Sequence, residues 1–300
     1  MRVGIDLGGT KIEGIVLDDA GKIALRRRVD SPSHSYDAII EAIGALVESL
    51  ETEVGQPRGA LRVGCGTPGA LQPATGTMKN CNSVVLNGRP LLADLQLRLG
   101  QRVRIANDAD CFALSEATDG AASGAATVFG VILGTGVGGG IVVRQKLLRG
   151  PNAIAGEWGH TPMPYLGSGG APREDELVPM DCYCGRRGCV ETFLSGPALG
   201  RIVSQLTGRE VSARDVFSAP ELRDVRELYA SLLARALAQV INLLDPDVVV
   251  LGGGLSNQRW LYERVPALWG PFLFSPDCAT ELVAPRFGDS SGVRGAAWLW

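Results

Sequence analysis

Two stretches of this chain repeat one another in outline, "GIDLGGTKIEGIVL" at 4–17 and "GVILGTGVGGGIVV" at 130–143. Aligned, Gly4 meets Gly130, Leu7 meets Leu133, Gly8 meets Gly134, and Gly14, Ile15 and Val16 meet Gly140, Ile141 and Val142. Both read as strand, glycine turn, strand. Self-similarity over so long a spacing points to two copies of one unit. The expected architecture is two similar α/β halves, each offering a glycine turn to a shared nucleotide cleft. Chance likeness of two glycine-rich hairpins is the competing reading.

After the first copy come a third strand, "KIALRRRV", and an amphipathic helix, "YDAIIEAIGALVESLE", with Ile39, Ile40, Ile43, Leu46, Val47 and Leu50 on one face. Strand "LRVGCG", helix "LLADLQLRLG", strand "RVRIA" and helix "CFALSEA" follow. A meander followed by alternating helix and strand predicts a mixed sheet in an α/β fold. The 300 residues suit about two such domains, and 45% hydrophobic with 20% charged residues is the balance of a soluble globular chain. A net charge of -3 leaves no basic surplus for nucleic acid. The uncharged run Gly120–Val143 carries eight glycines and is read as strand and loop rather than a membrane span. The opening "MRVGIDLGG" lacks the charged-then-apolar layout of a secretory signal, so a reducing, cytoplasmic location without disulfides is expected.

Neither glycine turn fits the better-known phosphate binders. "GIDLGGTK" ends in Thr-Lys where a P-loop needs Lys-Ser/Thr, and a strand follows instead of a helix. "GTGVGG" satisfies G-x-G-x-x-G but also runs into a strand, which disfavours a dinucleotide fold. What remains is a hairpin whose glycines let backbone N–H groups approach phosphate oxygens. The candidate nucleotide-binding residues are Gly4, Ile5, Asp6, Leu7, Gly8, Gly9, Thr10 and Lys11 in the first copy. In the second they are Leu133, Gly134, Thr135, Gly136, Val137, Gly138, Gly139 and Gly140. A third turn, "LGGGLS", adds Gly253 and Gly254 after the strand "DPDVVV". Asp6 is placed to hold a hydrated Mg2+, and Lys11 to neighbour a phosphate. A plain hairpin with Asp6 as a turn residue is the alternative.

Moving a phosphoryl group to an alcohol requires a base for the hydroxyl proton. In "IANDAD", Asp108 follows a buried-looking strand and opens a helix, where the helix N-terminus favours carboxylate over acid. Asn107 can hydrogen-bond the same substrate. A helix N-cap role for Asp108 is the competing reading, and Asp110 adds a second carboxylate nearby.

Three of the seven cysteines fall within "MDCYCGRRGCVE". In a reducing compartment Cys182, Cys184 and Cys189 read as soft ligands aimed at one point, with Gly185 and Gly188 allowing the tight backbone. The chain has two histidines, His34 in the polar "SPSHSY" and His160 in "GEWGH". His160 completes a tetrahedral Cys3His zinc site with no open position, hence a structural one. Inert buried thiols and a redox pair are the alternatives, though C-x-C departs from the redox spacing. Glu157, His160 and Glu191 flank the cluster and suit recognition of several sugar hydroxyls.

Taken in order, "DLGGTK", "GTPG", "NDAD", "GTGVGGG", "GEWGH" and "CYCGRRGCVE" resemble the ROK family of bacterial sugar kinases and sugar-responsive repressors, along the entire chain. The resemblance implies an actin-like, duplicated ribonuclease-H-like fold in two domains, closing around a hexose and usually dimeric. It implies transfer of the γ-phosphate of ATP, with Mg2+, to a hexose hydroxyl, with Asp108 as base. Asn107, Glu157, His160 and Glu191 would contact the sugar, and zinc would sit on His160 and the three cysteines. Asp110 stands where many members have Asn, and Thr67 where Ile is common. Asn82 and Ser83 in "NCNSVVLNG" approach the sugar or form a surface turn.

Within the family the nearest likeness is to bacterial fructokinases that also act on mannose, through "NSVVLNG", "CYCGRRGCVETF", "DPDVVVLGGGLSN" and "GDSSGVRGAAWLW". The expected reaction is fructose to fructose 6-phosphate, with N-acetylglucosamine or glucose as alternative substrates. The other class is a non-enzymatic sugar sensor; that branch carries a helix-turn-helix ahead of the first glycine turn, which here begins at residue 8. A filament-forming ATPase would have no use for a zinc-braced hydroxyl site. The expected small domain is 1–115 with 290–300, and the large domain 116–289 with the zinc loop and a long helix 221–244. A hinge is expected near "EATDGAASGAA", and "YLGSGGAPREDELVPM" (165–180) is read as a passive connection, with a lid or dimer contact as alternatives.

Overall fold

Along Lys11–Leu17 both faces are apolar, Ile12 and Val16 on one and Ile15 and Leu17 on the other, a pattern that only an internal strand satisfies. In the computed structural model, which describes residues 1–100, 102–167 and 170–300, this segment is the second strand of a five-stranded sheet. The chain divides into two compact units, Met1–Gly124 with Gly140–Ala155 and Arg286–Trp300, and Ala125–Gly139 with Gly156–Pro285.

Unit one begins with the meander β1 (Arg2–Leu7), β2 (Lys11–Leu17) and β3 (Ile23–Asp30), and continues through α1 (Tyr36–Glu53) and β4 (Arg62–Thr67). The two-stranded pair β5 (Ala70–Leu71) and β6 (Met78–Lys79), α2 (Leu91–Leu99), β7 (Val103–Asn107) and α3 (Asp108–Thr118) follow. The sheet order is β3-β2-β1-β4-β7, antiparallel through the meander and parallel from β1 onward. The helix α1 starts where Ser35 accepts the N–H of Ala38 at 3.3 Å, and it buries the apolar face expected from its spacing. That face and Leu91, Leu95 and Leu99 of α2 close one core with Ile12 and Val16.

Past β8 (Thr127–Leu133), β9 (Val137–Val143) and β10 (Lys146–Leu147), unit two holds α4 (Glu191–Leu194), α5 (Gly196–Thr207) and α6 (Arg223–Leu244). It ends with β11 (Val248–Gly252), α7 (Trp260–Trp269) and β12 (Glu281–Val283). The second sheet has the order β10-β9-β8-β11-β12, with β8, β11 and β12 parallel, and the division into units falls inside β9. The uncharged run 120–143 therefore forms a hairpin, as expected. By length and composition the helical stretch Pro220–Leu244 could cross a membrane, but 67% of its most apolar window is buried, as in a core helix.

The last helix, α8 (Ser291–Ala297), returns to unit one and covers Ile15 and Leu17. It packs on bare backbone: a Cβ on Gly64 would overlap the Ala296 carbonyl oxygen, and one on Gly295 would overlap that of Cys111 in α3. The unit boundaries differ from those expected. Residue 115 lies inside α3, whose buried face runs to Ala117, so the unit extends beyond it. It resumes at 286 rather than 290, where the Arg286 N–H donates to the buried Glu116 carboxylate at 3.0 Å.

The segment 165–180 is not a bare connection where it is described; its residues 168 and 169 lie outside the described residues. Glu174 is buried against the fully buried Arg235 of α6, which donates to both of its carboxylate oxygens and, at 2.8 Å, to the Tyr165 carbonyl. Arg173 donates to the Leu206 carbonyl at the end of α5 at 2.6 Å.

Candidate functional site

In unit one the first glycine turn is closed by Gly8 N–H donating to the Lys11 carbonyl at 3.0 Å. A Cβ on Gly8 would stand 2.8 Å from that oxygen, so the turn needs glycine there. Gly9, Thr10 and Lys11 are exposed at its tip. Three other residues assigned to this motif have packing tasks. Ile5 and Leu7 are buried in the core, and Gly4 is glycine because a Cβ would overlap the Val293 carbonyl of α8, while Asp6, next to last in β1, is half-buried. The loop carrying Asn82 lies near the turn, with Ser83 Oγ 3.8 Å from where a Gly9 Cβ would be. Asn82 itself is exposed, and Asn87 pins the loop through the N–H and carbonyl of Cys81, at 2.9 and 3.1 Å.

The competing reading of Asp108 as N-cap is displaced by its neighbour. Asn107, the last residue of β7, accepts the Asp110 N–H at 2.6 Å and caps α3, which leaves its amide nitrogen as the atom able to donate to a hydroxyl. Asp108 occupies the first helical position and accepts the Ala109 N–H at 2.8 Å. Although its residue is exposed, protein surrounds the Asp108 carboxyl closely enough that loss of solvation is the main influence, raising its pKa, with two backbone hydrogen bonds opposing. Asp6 is pushed up to about 6, by burial first and then by the charges of Asp108 and Glu13, with Arg28 opposing. Asp110, two residues on, faces another side of the helix from Asp108.

In unit two the second glycine turn is closed by Gly134 N–H donating to the Gly136 carbonyl at 3.0 Å, with Thr135 exposed at the tip. The third turn packs on it: Gly253, at φ +78°, has no room for a Cβ beside the Leu133 carbonyl, and both Gly253 and Gly254 are exposed. Leu133 and Val137 are buried side chains. Gly138 accepts the Trp158 indole N–H at 2.9 Å, and a Cβ on Gly139 would stand 2.6 Å from the Gly156 carbonyl. Those glycines serve to seat the "GEWGH" segment. Gly140 belongs to unit one, where a Cβ would stand 2.5 Å from the Ala109 carbonyl; its glycine is explained by packing on α3, not by a phosphate.

Glu191, at the start of α4, has a link that the sequence does not reveal. Its Oε2 accepts the Val137 N–H at 3.0 Å, tying the end of the cysteine loop to the second glycine turn. Glu157 stands half-buried next to the buried Trp158.

The cysteine loop folds as expected for a metal knuckle. Gly185 and Gly188 have φ of +85° and +75°, and Cys182 N–H donates to the Arg186 carbonyl at 2.7 Å. Met163 N–H to Gly188 and Val190 N–H to Thr161, both 2.9 Å, bring His160 alongside. One ligand atom from each of His160, Cys182, Cys184 and Cys189 lies within 4.8 Å of the others. His160 Nδ1 is 3.5 Å from Cys182 Sγ, and Cys184 Sγ is 3.6 Å from Cys189 Sγ. Zinc–sulfur bonds of about 2.3 Å put tetrahedral ligand atoms about 3.7 Å apart, so the donor set fits zinc. Among the described residues all seven cysteines are free of disulfides.

The sequence reading missed Tyr183, whose hydroxyl lies 2.9 Å from His160 Nε2. Its place between two cysteines of the cluster was the one signal available.

The chain is 40% identical to the N-acetyl-D-glucosamine kinase of Pasteurella multocida over 310 aligned positions, which cover 100% of this chain and 99% of that protein. It superposes on a ROK hexokinase from Thermus thermophilus with a TM-score of 0.83 and 31% identity, covering 99% of this chain and 96% of that one. A ROK-family glucokinase from Streptomyces griseus, solved with glucose and AMPPNP, gives 0.75 and 28% identity, covering 99% and 98%. With the ROK family model matching residues 2–300, the chain belongs to the ROK family.

Proposed function

We propose that this ROK-family sugar kinase uses ATP to phosphorylate N-acetyl-D-glucosamine. The observation that carries the substrate is the end-to-end likeness to an enzyme of that name at 40% identity. Fructose, expected from short motifs, gives way to it, because those motifs build parts common to sugar kinases and do not specify which hydroxyls are read. Mannose and glucose become competitors to be measured.

Unit one supplies the proton acceptor. Asp108 takes the proton of the attacking hydroxyl as its oxygen bonds to the γ-phosphorus and the bond to the β-phosphate oxygen breaks. Mg2+ held through water by Asp6 would offset phosphate charge, and a cation there would relieve the burial that raises the pKa of this carboxyl. Exposed N–H groups at the tips of the glycine turns approach phosphate oxygens, while the buried Ile5, Leu7 and Leu133 hold the hairpins rigid.

Unit two supplies hydroxyl readers. Glu157, His160 and Glu191 accept or donate hydrogen bonds at fixed positions, and zinc on His160 and the three cysteines would stiffen the loop that carries them. Zinc takes no part in the reaction, since four protein donors leave it no open position. A cytoplasmic homodimer belongs to the same reading.

The test is ATP-dependent phosphorylation of N-acetylglucosamine, fructose, mannose and glucose by the purified protein, with Asp108→Asn as control. N-acetylglucosamine is expected to give the highest kcat/KM. Preference for fructose would overturn the substrate, and absence of turnover on all four would overturn the kinase reading.

A further inference from the structure

We propose that Tyr183 is a specificity-determining residue of the sugar site, occupying the place of a sugar hydroxyl at His160 until substrate displaces it; this rests on the reading of His160 as a hydroxyl reader. The imidazole turns Nδ1 toward the cysteines, 3.5 Å from Cys182 Sγ, and Nε2 away from them. A neutral imidazole that ligates through Nδ1 carries its proton on Nε2, so the outward nitrogen is a donor. Tyr183 Oη stands 2.9 Å from it, and the two rings meet edge to face with centroids 5.0 Å apart. The phenol oxygen is where a substrate hydroxyl would have to be in order to accept the same hydrogen bond.

Tyr183 is suited to yield that place. Its main chain is held between Cys182 and Cys184, yet its side chain is 74% exposed, so rotating it away costs no core packing.

Two consequences follow from a protein hydroxyl competing with a substrate hydroxyl. The correct sugar must break the Tyr183–His160 bond to bind, which weakens its affinity. A deoxy analogue lacking the hydroxyl read by His160 leaves that bond in place, so it escapes part of the usual penalty of an unpaired donor. Tyr183 therefore lowers both affinity and discrimination at one hydroxyl.

The experiment is calorimetric titration of zinc-loaded parent and Tyr183→Phe proteins, without nucleotide, with the preferred sugar and each of its monodeoxy analogues. Loss of one hydrogen bond of ordinary strength predicts that the variant binds the sugar roughly three- to ten-fold tighter. The ratio of sugar to analogue affinity should rise by a similar factor at one position and stay level at the others, with zinc content unchanged. Unchanged or weaker sugar binding, or an equal shift at every position, overturns the proposal. A second readout avoids the variant: in the parent, the 15N resonance of His160 Nε2 should shift with the sugar and not with the analogue lacking that one hydroxyl. A resonance that responds alike to both overturns the proposal even where the variant is unstable. A folded, zinc-loaded parent that binds none of the sugars removes the underlying sugar-site reading, whereas normal binding with unaltered discrimination removes only the role of Tyr183.

Discussion

The side-chain oxygen of Asn107 accepts the backbone N–H of Asp110 at 2.6 Å, so the cap of α3 is the residue before Asp108 and not Asp108 itself. Relieved of capping, the Asp108 carboxylate sits where the helix N-terminus favours its charge while loss of solvation opposes it.

Asp108→Asn should lower kcat on the order of a hundred- to ten-thousand-fold, the usual loss of a positioned base. Asp108 must be ionised to accept a proton, and its pKa is raised, so activity should increase with pH along a limb displaced upward from that of a free aspartate. A pH–kcat profile measures the limb; one lying in the ordinary carboxylate range counts against Asp108.

Asp6→Asn should make the nucleotide-free protein more stable above pH 6 while abolishing useful turnover. The folded pKa of Asp6 is raised from 3.8 to about 6, so the folded state holds this proton more tightly than the unfolded one. The stability this contributes is full below 3.8 and is lost as pH rises through about 6, and asparagine avoids that loss. Thermal melts of both proteins at pH 4 and pH 7.5, without added Mg2+, should show a Tm advantage for the variant only at the higher pH.

Removing zinc should raise the KM for sugar more than that for ATP, because the knuckle carries His160 and leads into Glu191. Elemental analysis should find one zinc per chain, and Cys189→Ser should lose it together with sugar affinity. Equal effects on both Michaelis constants contradict a local scaffold.

Glu174 and Arg235 are both buried and paired, so removing one partner strands the other's charge. Glu174→Gln or Arg235→Met alone should cost about 3–5 kcal/mol in urea unfolding, while replacing both with apolar residues should cost far less or stabilise the protein. Equal, additive losses would show that the pair is not coupled.

The hairpins, the α1 face and the clustering of His160 with three cysteines are legible because each depends on spacing within one segment, or on the shortage of alternatives when a chain has two histidines. The anchoring of the 165–180 segment is not legible, since nothing in "REDEL" says that its first glutamate will meet an arginine sixty-one residues later. Nor is it legible that the neighbours requiring glycine at Gly4 and Gly140 are the Val293 and Ala109 carbonyls, which are remote in sequence.

By itself the sequence determined the period of each strand and helix, the backbone freedom at the turns and the set of soft side chains able to gather at one point, because these follow from side-chain chemistry and short covalent spacing. Only the tertiary structure decided that Asn107 caps α3, that Glu191 holds the Val137 amide and that Tyr183 covers His160. A hydrogen bond forms within about 3 Å, and such distances between separate segments are set by how whole elements pack, not by the residues that finally meet.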